Sequence, residues 1–139
     1  MYILDSDTLT HLHAGNPRVV ENLRNTADSD VVTTIVTKIE LLRGRFDFVL
    51  KAETGADLIR AQQLLTRTDD LLAQLPVLPF DSLAATHFDR LRIQSSLRKI
   101  GRADLLIASI TLAQRAALVT RNLRHFRQVP GLKVVNWAD

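Results

Sequence analysis

Short apolar runs alternate with segments of helical periodicity along the whole chain. Two parallel strands can only be joined by a long crossover, usually a helix, so this alternation predicts an α/β fold. We expect a three-layer α/β/α sandwich with a mainly parallel central sheet of four to five strands, whose functional crevice lies at the carboxyl ends of the strands. The strand candidates are Met1–Leu4, Val31–Ile35, Pro76–Phe80, Ala117–Thr120 and Leu132–Val135.

The intervening segments carry start and stop signals for helices. Gly44 and Gly101 are predicted to end the helices that precede them, and Asp81 or Ser82 to cap the helix that follows. The predicted helices are one that starts near Asp7, then Pro17–Asn25, 36–43, a helical hairpin within Leu50–Leu72, a helix from Ser82 towards Gly101, and Leu105–Ala116 opened by Asp104.

The length and composition limit the possible classes of protein. With 139 residues, we expect a single domain covering 1–139. The first residues lack the pattern of a signal peptide and no apolar run reaches membrane-spanning length, so a cytoplasmic location is expected. The absence of cysteine excludes disulfides and thiolate metal sites, which leaves oxygen and imidazole ligands and favours a hard cation.

Charge is distributed unevenly along the sequence. Residues 1–89 carry eight Lys and Arg against thirteen Asp and Glu, a net charge of −5, whereas residues 90–139 carry ten against two, a net charge of +8. A basic surface of this kind suits a polyanion such as a nucleic acid. A solvated basic face with no partner is the alternative.

Three acids each interrupt an otherwise apolar element: Asp5, Glu40 and Asp104. Isolated carboxylates are rare in such places without a partner. Glu40 could pair with Arg43 one helical turn away, and Asp104 could cap its own helix. If the three acids instead converge at the strand ends, they raise one another's pKa unless a cation such as Mg²⁺ neutralises them.

Four segments together resemble the PIN-domain ribonuclease toxins of the VapC type, over nearly the whole chain. The segment around Asp104 and the one that follows Leu118 are the most specific. The matching segments are Met1–Asp7, Thr34–Gly44, Ile100–Ala108 and Leu118–Phe126, the last followed by Val129–Leu132 and Trp137.

The resemblance implies a toxin of a type II toxin–antitoxin system that hydrolyses RNA phosphodiester bonds with Mg²⁺ or Mn²⁺. It places Asp5, Glu40 and Asp104 in the metal-binding acidic cluster. Asn122 falls among the catalytic residues, where many PIN domains carry a fourth acid, and an amide there supplies no charge. A small VapB-like antitoxin and a toxin homodimer are the partners that the resemblance implies.

Further residues are candidates for supporting roles. Ser6, Asp7 and Thr120 could orient carboxylates or water, or could simply cap helices and turns. Basic residues near the expected site are candidates for RNA contact, with exposed loop arginines as the alternative; they are Arg102, Arg121 and Arg124.

The histidines and two rival functions complete the hypotheses. His11, His13 and His87 are assigned structural or surface roles, and His125 could contact RNA but is not needed for metal-dependent hydrolysis. Asp5–Leu9 superficially resembles the nucleophile motif of haloacid-dehalogenase-like phosphatases, but Leu9 stands where those enzymes carry threonine or valine. The second rival is a catalytically weak PIN-fold protein that only binds RNA or a protein partner.

Overall fold

The computed structural model describes residues 1–27 and 30–139, and within these ranges five short strands alternate with seven α-helices. The strands are β1 Tyr2–Leu4, β2 Val31–Thr34, β3 Val77–Leu78, β4 Ala117–Val119 and β5 Lys133–Val135. The helices are α1 Ser6–His13, α2 Pro17–Arg24, α3 Ile35–Lys51, α4 Gly55–Ala73, α5 Ser82–Leu91, α6 Arg102–Ala113 and α7 Leu123–Phe126.

The strands form one sheet in the order β3-β2-β1-β4-β5, and every neighbouring pair is parallel. Ile3 of β1 lies opposite Val32 of β2 on one side and Leu118 of β4 on the other. The predicted α/β sandwich with a parallel sheet is therefore confirmed. The strand order reverses beside β1, so the carboxyl ends of β1 and β4 flank the crevice where ligands bind in such sheets.

The middle of the sheet is buried on both faces, which explains why β1 and β4 are continuously apolar. Ile3 and Leu118 pack with Ile107 on one face, whereas the following residues, Leu4 and Val119, pack on the other face. Successive side chains of a strand point to opposite faces, so each short strand contributes to both layers of the core.

The prediction that Gly44 ends a helix is wrong. Helix α3 continues through Gly44 to Lys51 and packs against α4. One exposed glycine inside a helix destabilises it by only about 1 kcal/mol, and the packing of one face of a helix of this length stabilises it by more than that. The hairpin predicted within Leu50–Leu72 is also wrong as placed, because Gly55–Ala73 is one continuous helix, α4. The observed hairpin is formed by α3 and α4, and in the turn between them Thr54 caps α4 by accepting a hydrogen bond from the Asp57 N–H.

Two predictions around α5 and α6 also need correction. Helix α5 is capped by Asp81 as expected but ends at Leu91, and a turn with a 3-10 segment at Ser95–Leu97 leads to Gly101. Helix α6 then begins at Arg102, so Asp104 lies within its first turn and is not its cap. Hydrophobic spacing alone did not reveal this break, because Leu97 is buried although it lies in the 3-10 segment and outside the α-helices.

The strand predicted at Pro76–Phe80 is shorter than expected, because only Val77 and Leu78 pair with the neighbouring strand. The flanking prolines have no N–H to donate to such pairing. None of the helices in the two described ranges combines the length and apolar composition needed to cross a membrane.

Candidate active site

Asp5 joins β1 to α1 at the carboxyl edge of the sheet. Its N–H donates to the Val119 carbonyl oxygen at 3.2 Å, and its Oδ1 accepts the Thr8 N–H at 2.8 Å, which caps α1. These two contacts hold the carboxyl group at the switch point of the sheet, where only 8% of the residue is exposed.

Burial raises the pKa of Asp5, and the nearby charge of Asp7 adds to that effect. Hydrogen bonds from Thr120 and Thr8 oppose the rise. Desolvation disfavours the charged form of a carboxyl group, so Asp5 lies where a cation would be stabilising.

Glu40 reaches the same edge from α3, which starts immediately after β2 and is capped by Thr34. Its Oε1 accepts a hydrogen bond from Ser6 Oγ at 3.2 Å. Desolvation raises the pKa of Glu40, Ser6 opposes this, and the charges of Asp104 and Asp5 raise it further. Of the alternatives considered for Glu40, an ion pair with Arg43 is not formed within the described ranges.

Asp104 lies in the first turn of α6, and its Oδ2 is 3.1 Å from His125 Nε2. The Nε2 atom is fully buried and makes no aligned hydrogen bond with any described residue, so its contact with Asp104 has the distance of an ion pair without the alignment of a hydrogen bond. The ring of His125 meets Phe126 edge-on, with the ring centroids 5.3 Å apart. Sequence reasoning missed this contact between His125 and Asp104.

Asn122 follows β4 and completes the edge. Its backbone N–H donates to the Oγ1 atom of buried Thr120 at 3.0 Å, whereas its side chain is exposed towards the cleft. Thr120 therefore shapes the turn after β4 and also influences the carboxyl group of Asp5.

These side chains border one cleft with a volume of about 260 Å³. The fold thus brings together the three predicted cluster acids, although 35 residues separate the first two and 64 the last two. The lining residues are Asp5, Ser6, Asp7, Glu40, Asp104, Ile107, Asn122 and Phe126.

The donor chemistry of the cleft fits a hard divalent cation, because four carboxyl groups and one amide supply oxygen ligands. The side chains are not arranged as a metal site in this structure, however, since no three acidic or imidazole side chains among residues 1–27 and 30–139 are placed to hold one ion. Ser6 donates a hydrogen bond to Glu40 instead, and His125 Nε2 lies 3.1 Å from Asp104 Oδ2.

The arginines predicted to contact RNA lie outside the lining of this cleft in the described structure. The guanidinium carbon of Arg102 lies 5.8 Å from the ring centroid of Phe88. Arg121 forms two 3.2 Å contacts with the Asp139 carboxylate and approaches His11 Nε2 at 3.1 Å. Arg124 is exposed on α7, and RNA contact by these residues stays a prediction.

Two of the histidines assigned surface roles have local partners. His11 lies 3.8 Å from an Asp7 oxygen, and His87 Nδ1 lies 3.0 Å from the guanidinium group of Arg90. His13 differs from both, because it lines a separate pocket together with Arg45 and Arg67.

Comparison with known proteins gives three kinds of match. The model of the PIN domain family matches residues 2–132. The ribonuclease VapC2 of Rickettsia felis is 32% identical over 80 residues, which cover 56% of this chain and 60% of that protein. The tRNA(fMet)-specific endonuclease VapC of Salmonella typhimurium is 25% identical over 139 residues, which cover 99% of this chain and 98% of that protein.

Solved structures match over nearly the full length. A crystal structure of VapBC2 from Rickettsia felis bound to a promoter DNA fragment has a TM-score of 0.81 at 25% identity and covers 98% of both chains. DNA-bound VapBC from Salmonella typhimurium has a TM-score of 0.82 at 24% identity and covers 98% of this chain and 97% of that one. The latter likeness concerns the fold alone.

Proposed function

Because this chain belongs to the PIN-domain family, we propose that it is the VapC-type toxin of a type II toxin–antitoxin pair, an endoribonuclease that a VapB-like antitoxin neutralises. The observation that carries the proposal is the cleft in which Asp5, Glu40 and Asp104 meet at the switch point of the sheet. Relatives named VapC ribonuclease or endonuclease, and structural neighbours solved as VapBC complexes, support the same function.

In this proposal Asp5, Glu40 and Asp104 hold Mg²⁺ or Mn²⁺. Such a cation supplies positive charge that neutralises the scissile phosphate and activates a water molecule for attack. The raised pKa values of Asp5 and Glu40 support the assignment, since a group of desolvated, mutually repelling carboxylates is stabilised by cation binding.

The protein's own groups have distinct tasks in this hydrolysis. Asp5 is the fixed ligand, because the Thr8 N–H and the end of β1 hold it in place. Ser6 donates to Oε1 of Glu40 and His125 Nε2 lies 3.1 Å from Oδ2 of Asp104, so we assign these two residues to positioning the carboxylates. The Asn122 amide can position water or an RNA oxygen without adding negative charge.

An exposed apolar stripe on α3 supports the antitoxin partner. Ile39, Phe46 and Leu50 recur at helical spacing on one side of α3, and their exposed fractions are 57%, 50% and 81%. Apolar patches of this kind mark protein–protein contacts on soluble proteins. The toxin homodimer and the cytoplasmic location stay predictions.

The proposal is tested by incubating antitoxin-free protein with a set of structured RNAs, in Mg²⁺, in Mn²⁺ and with a chelator. The set includes initiator tRNA, since the Salmonella relative is named for it. We expect cleavage that requires both the cation and Asp104, so the chelator and a folded Asp104→Asn variant each abolish it. The matched control is Asp89→Asn, an acid on the surface of α5.

Wild-type protein that cleaves none of these RNAs, or cleaves equally well in chelator, contradicts the metal-dependent nuclease. The chain would then be a catalytically weak PIN-fold protein that binds RNA or a partner. Asn122, which stands where many PIN domains carry a fourth acid, is the observation that favours this second function.

A further inference from the structure

A second pocket, of about 300 Å³, lies between α1, α3 and α4. Its polar lining comes from residues of the acidic half of the sequence, yet it is cationic. The lining residues are Thr10, His13, Ala14, Arg45, Leu64 and Arg67.

Two guanidinium groups and an imidazole meet in this pocket without a compensating acid. Within the described ranges neither Arg45 nor Arg67 forms an ion pair. Arg45 Nε donates to the Oγ1 atom of buried Thr68 at 3.0 Å, which fixes the side chain and leaves its terminal amino groups for another partner. An anion would relieve the repulsion between these cations.

The state of His13 agrees with this electrostatic picture. Desolvation lowers its pKa, and the charges of Arg67 on α4 and Arg45 on α3 lower it further. The surroundings of His13 therefore disfavour the addition of another positive charge. A bound anion would reverse the effect, so the pKa of His13 reports on occupancy.

A polar stripe on α1 connects this pocket with the acidic cleft. Ser6, Thr10 and His13 are spaced by four and three residues and share one face of the helix. Ser6 lines the acidic cleft, the other two line the cationic pocket, and Thr10 Oγ1 donates to the Ser6 carbonyl oxygen at 2.9 Å. From Ser6 to His13 the helix rises about 10 Å along its axis, a distance that a bound RNA strand of several nucleotides can bridge.

We propose that the pocket formed by His13, Arg45 and Arg67 binds a backbone phosphate of the RNA whose scissile phosphate lies in the acidic cleft. The inference rests on the proposed ribonuclease function and adds a subsite to it. Arginine pairs with phosphate through parallel N–H donors, and both Arg45 and Arg67 line the pocket. Contact with phosphate fixes the register of the strand and carries no sequence preference.

An RNA phosphate is a better occupant than a protein carboxylate because of where the pocket lies. The α1 stripe leads from the pocket directly to the acidic cleft, whereas the exposed apolar stripe assigned to the antitoxin runs along Ile39, Phe46 and Leu50 of α3. A strand crossing both sites would place one phosphate on each.

The test measures RNA binding separately from cleavage. In an Asp104→Asn background, a labelled single-stranded RNA of about 12 nucleotides is titrated with protein by fluorescence anisotropy at several salt concentrations. Arg45→Gln and Arg67→Gln are each expected to weaken Kd about five- to tenfold and to reduce the slope of log K against log salt by about 0.7. Lys51→Gln, which removes one positive charge at the end of α3, is the matched control and is expected to stay within about twofold.

Folding is controlled in two ways. Arg67 is exposed, so its substitution leaves the core intact even if loss of the Arg45 contact with Thr68 lowers stability. Arg45→Lys keeps the charge and is expected to recover part of the affinity. The subsite is overturned if Arg45→Gln and Arg67→Gln bind RNA as tightly as Lys51→Gln does. It is also overturned if these two arginine variants bind the antitoxin more weakly but bind RNA as wild type does.

A final readout separates failure of the subsite from failure of the ribonuclease. NMR titration of His13 in the wild-type protein, with and without inorganic phosphate, is expected to show a higher pKa when phosphate is present. If the protein cleaves no RNA but phosphate raises this pKa and RNA affinity depends on both arginines, the phosphate site stands and only the catalytic proposal fails. A pKa that phosphate leaves unchanged, together with RNA affinity that is independent of the arginines, refutes the site whether or not RNA is cleaved.

Discussion

Gly44 is exposed in the middle of α3, and replacing it with alanine is expected to stabilise the protein. A Cβ atom built at this position meets no other atom within 4 Å, and the backbone is helical. Alanine loses less backbone freedom than glycine when a helix forms, so Gly44→Ala should raise the free energy of unfolding by about 0.5–1 kcal/mol. For a chain of this size that corresponds to a rise in Tm of about 3 °C.

Gly131 provides the matched control, because its φ is +80° and its surroundings are also open. A Cβ atom there would lie 3.9 Å from Leu112 Cδ2, an ordinary contact, so the only penalty is conformational. Gly131→Ala should therefore lower the free energy of unfolding by about 1–2 kcal/mol. The two substitutions add the same atom and are expected to act in opposite directions.

Chemical denaturation of both variants with urea, monitored by circular dichroism, measures these differences. A Gly44→Ala variant that is less stable than wild type would refute a continuous α3 and favour the helix end expected from sequence. Gly44 also lies one turn after Glu40. A variant that is more stable but cleaves RNA poorly would show that substrate approaches the helix closely there.

Three further predictions follow from the candidate site. Asp5→Asn keeps an oxygen for the Thr8 N–H but removes a carboxyl group whose pKa is raised by burial. Ionisation of such a group destabilises the folded state, so the variant should become more stable than wild type as the pH rises from about 4 to 7, although it loses cleavage. Stability that depends on pH in the same way in both proteins would contradict this. His125→Ala should lower kcat about tenfold and weaken Mn²⁺ binding with little change in KM, and His125→Gln should recover part of the kcat and part of the Mn²⁺ affinity. An unchanged Mn²⁺ affinity in His125→Ala would show that His125 does not position Asp104. Leu50→Gln should change the free energy of unfolding by less than about 0.5 kcal/mol but weaken binding of the antitoxin in calorimetry, whereas unchanged binding would place the antitoxin elsewhere.

Local signals predicted the elements of the fold well. Pro17 at the first position of α2 and the Asp81 cap of α5 act within one helical turn, so the sequence around them is sufficient. The end of β2 was predicted to within one residue, because the β-branched run Val31–Ile35 stops close to where the buried strand stops. The acids of the cleft stood out for a related reason: each interrupts an apolar element that the sheet or its helices bury.

Errors occurred where a local signal competed with packing. Gly44 resembles a helix end, but contacts between α3 and α4 hold the helix together. The segment after Leu91 keeps a helical spacing of apolar residues, yet Leu97 is buried from a 3-10 turn. In both places the decisive energy comes from residues distant in sequence, which no short window contains.

The sequence by itself determined the parallel α/β architecture, the edge of the sheet that carries the acids and the identity of the candidate ligands. Strands, crossover helices and acids within apolar elements all produce patterns over a few neighbouring residues, so they can be recognised without the tertiary structure. Only the tertiary structure decided that His125 faces Asp104 and that His13, Arg45 and Arg67 share a pocket. These groups lie at least 21 residues apart in the chain, and their side chains meet because helices pack at particular angles and registers. Charge along the sequence pointed to the C-terminal half for anion binding, whereas packing assembled a cationic pocket from the acidic half.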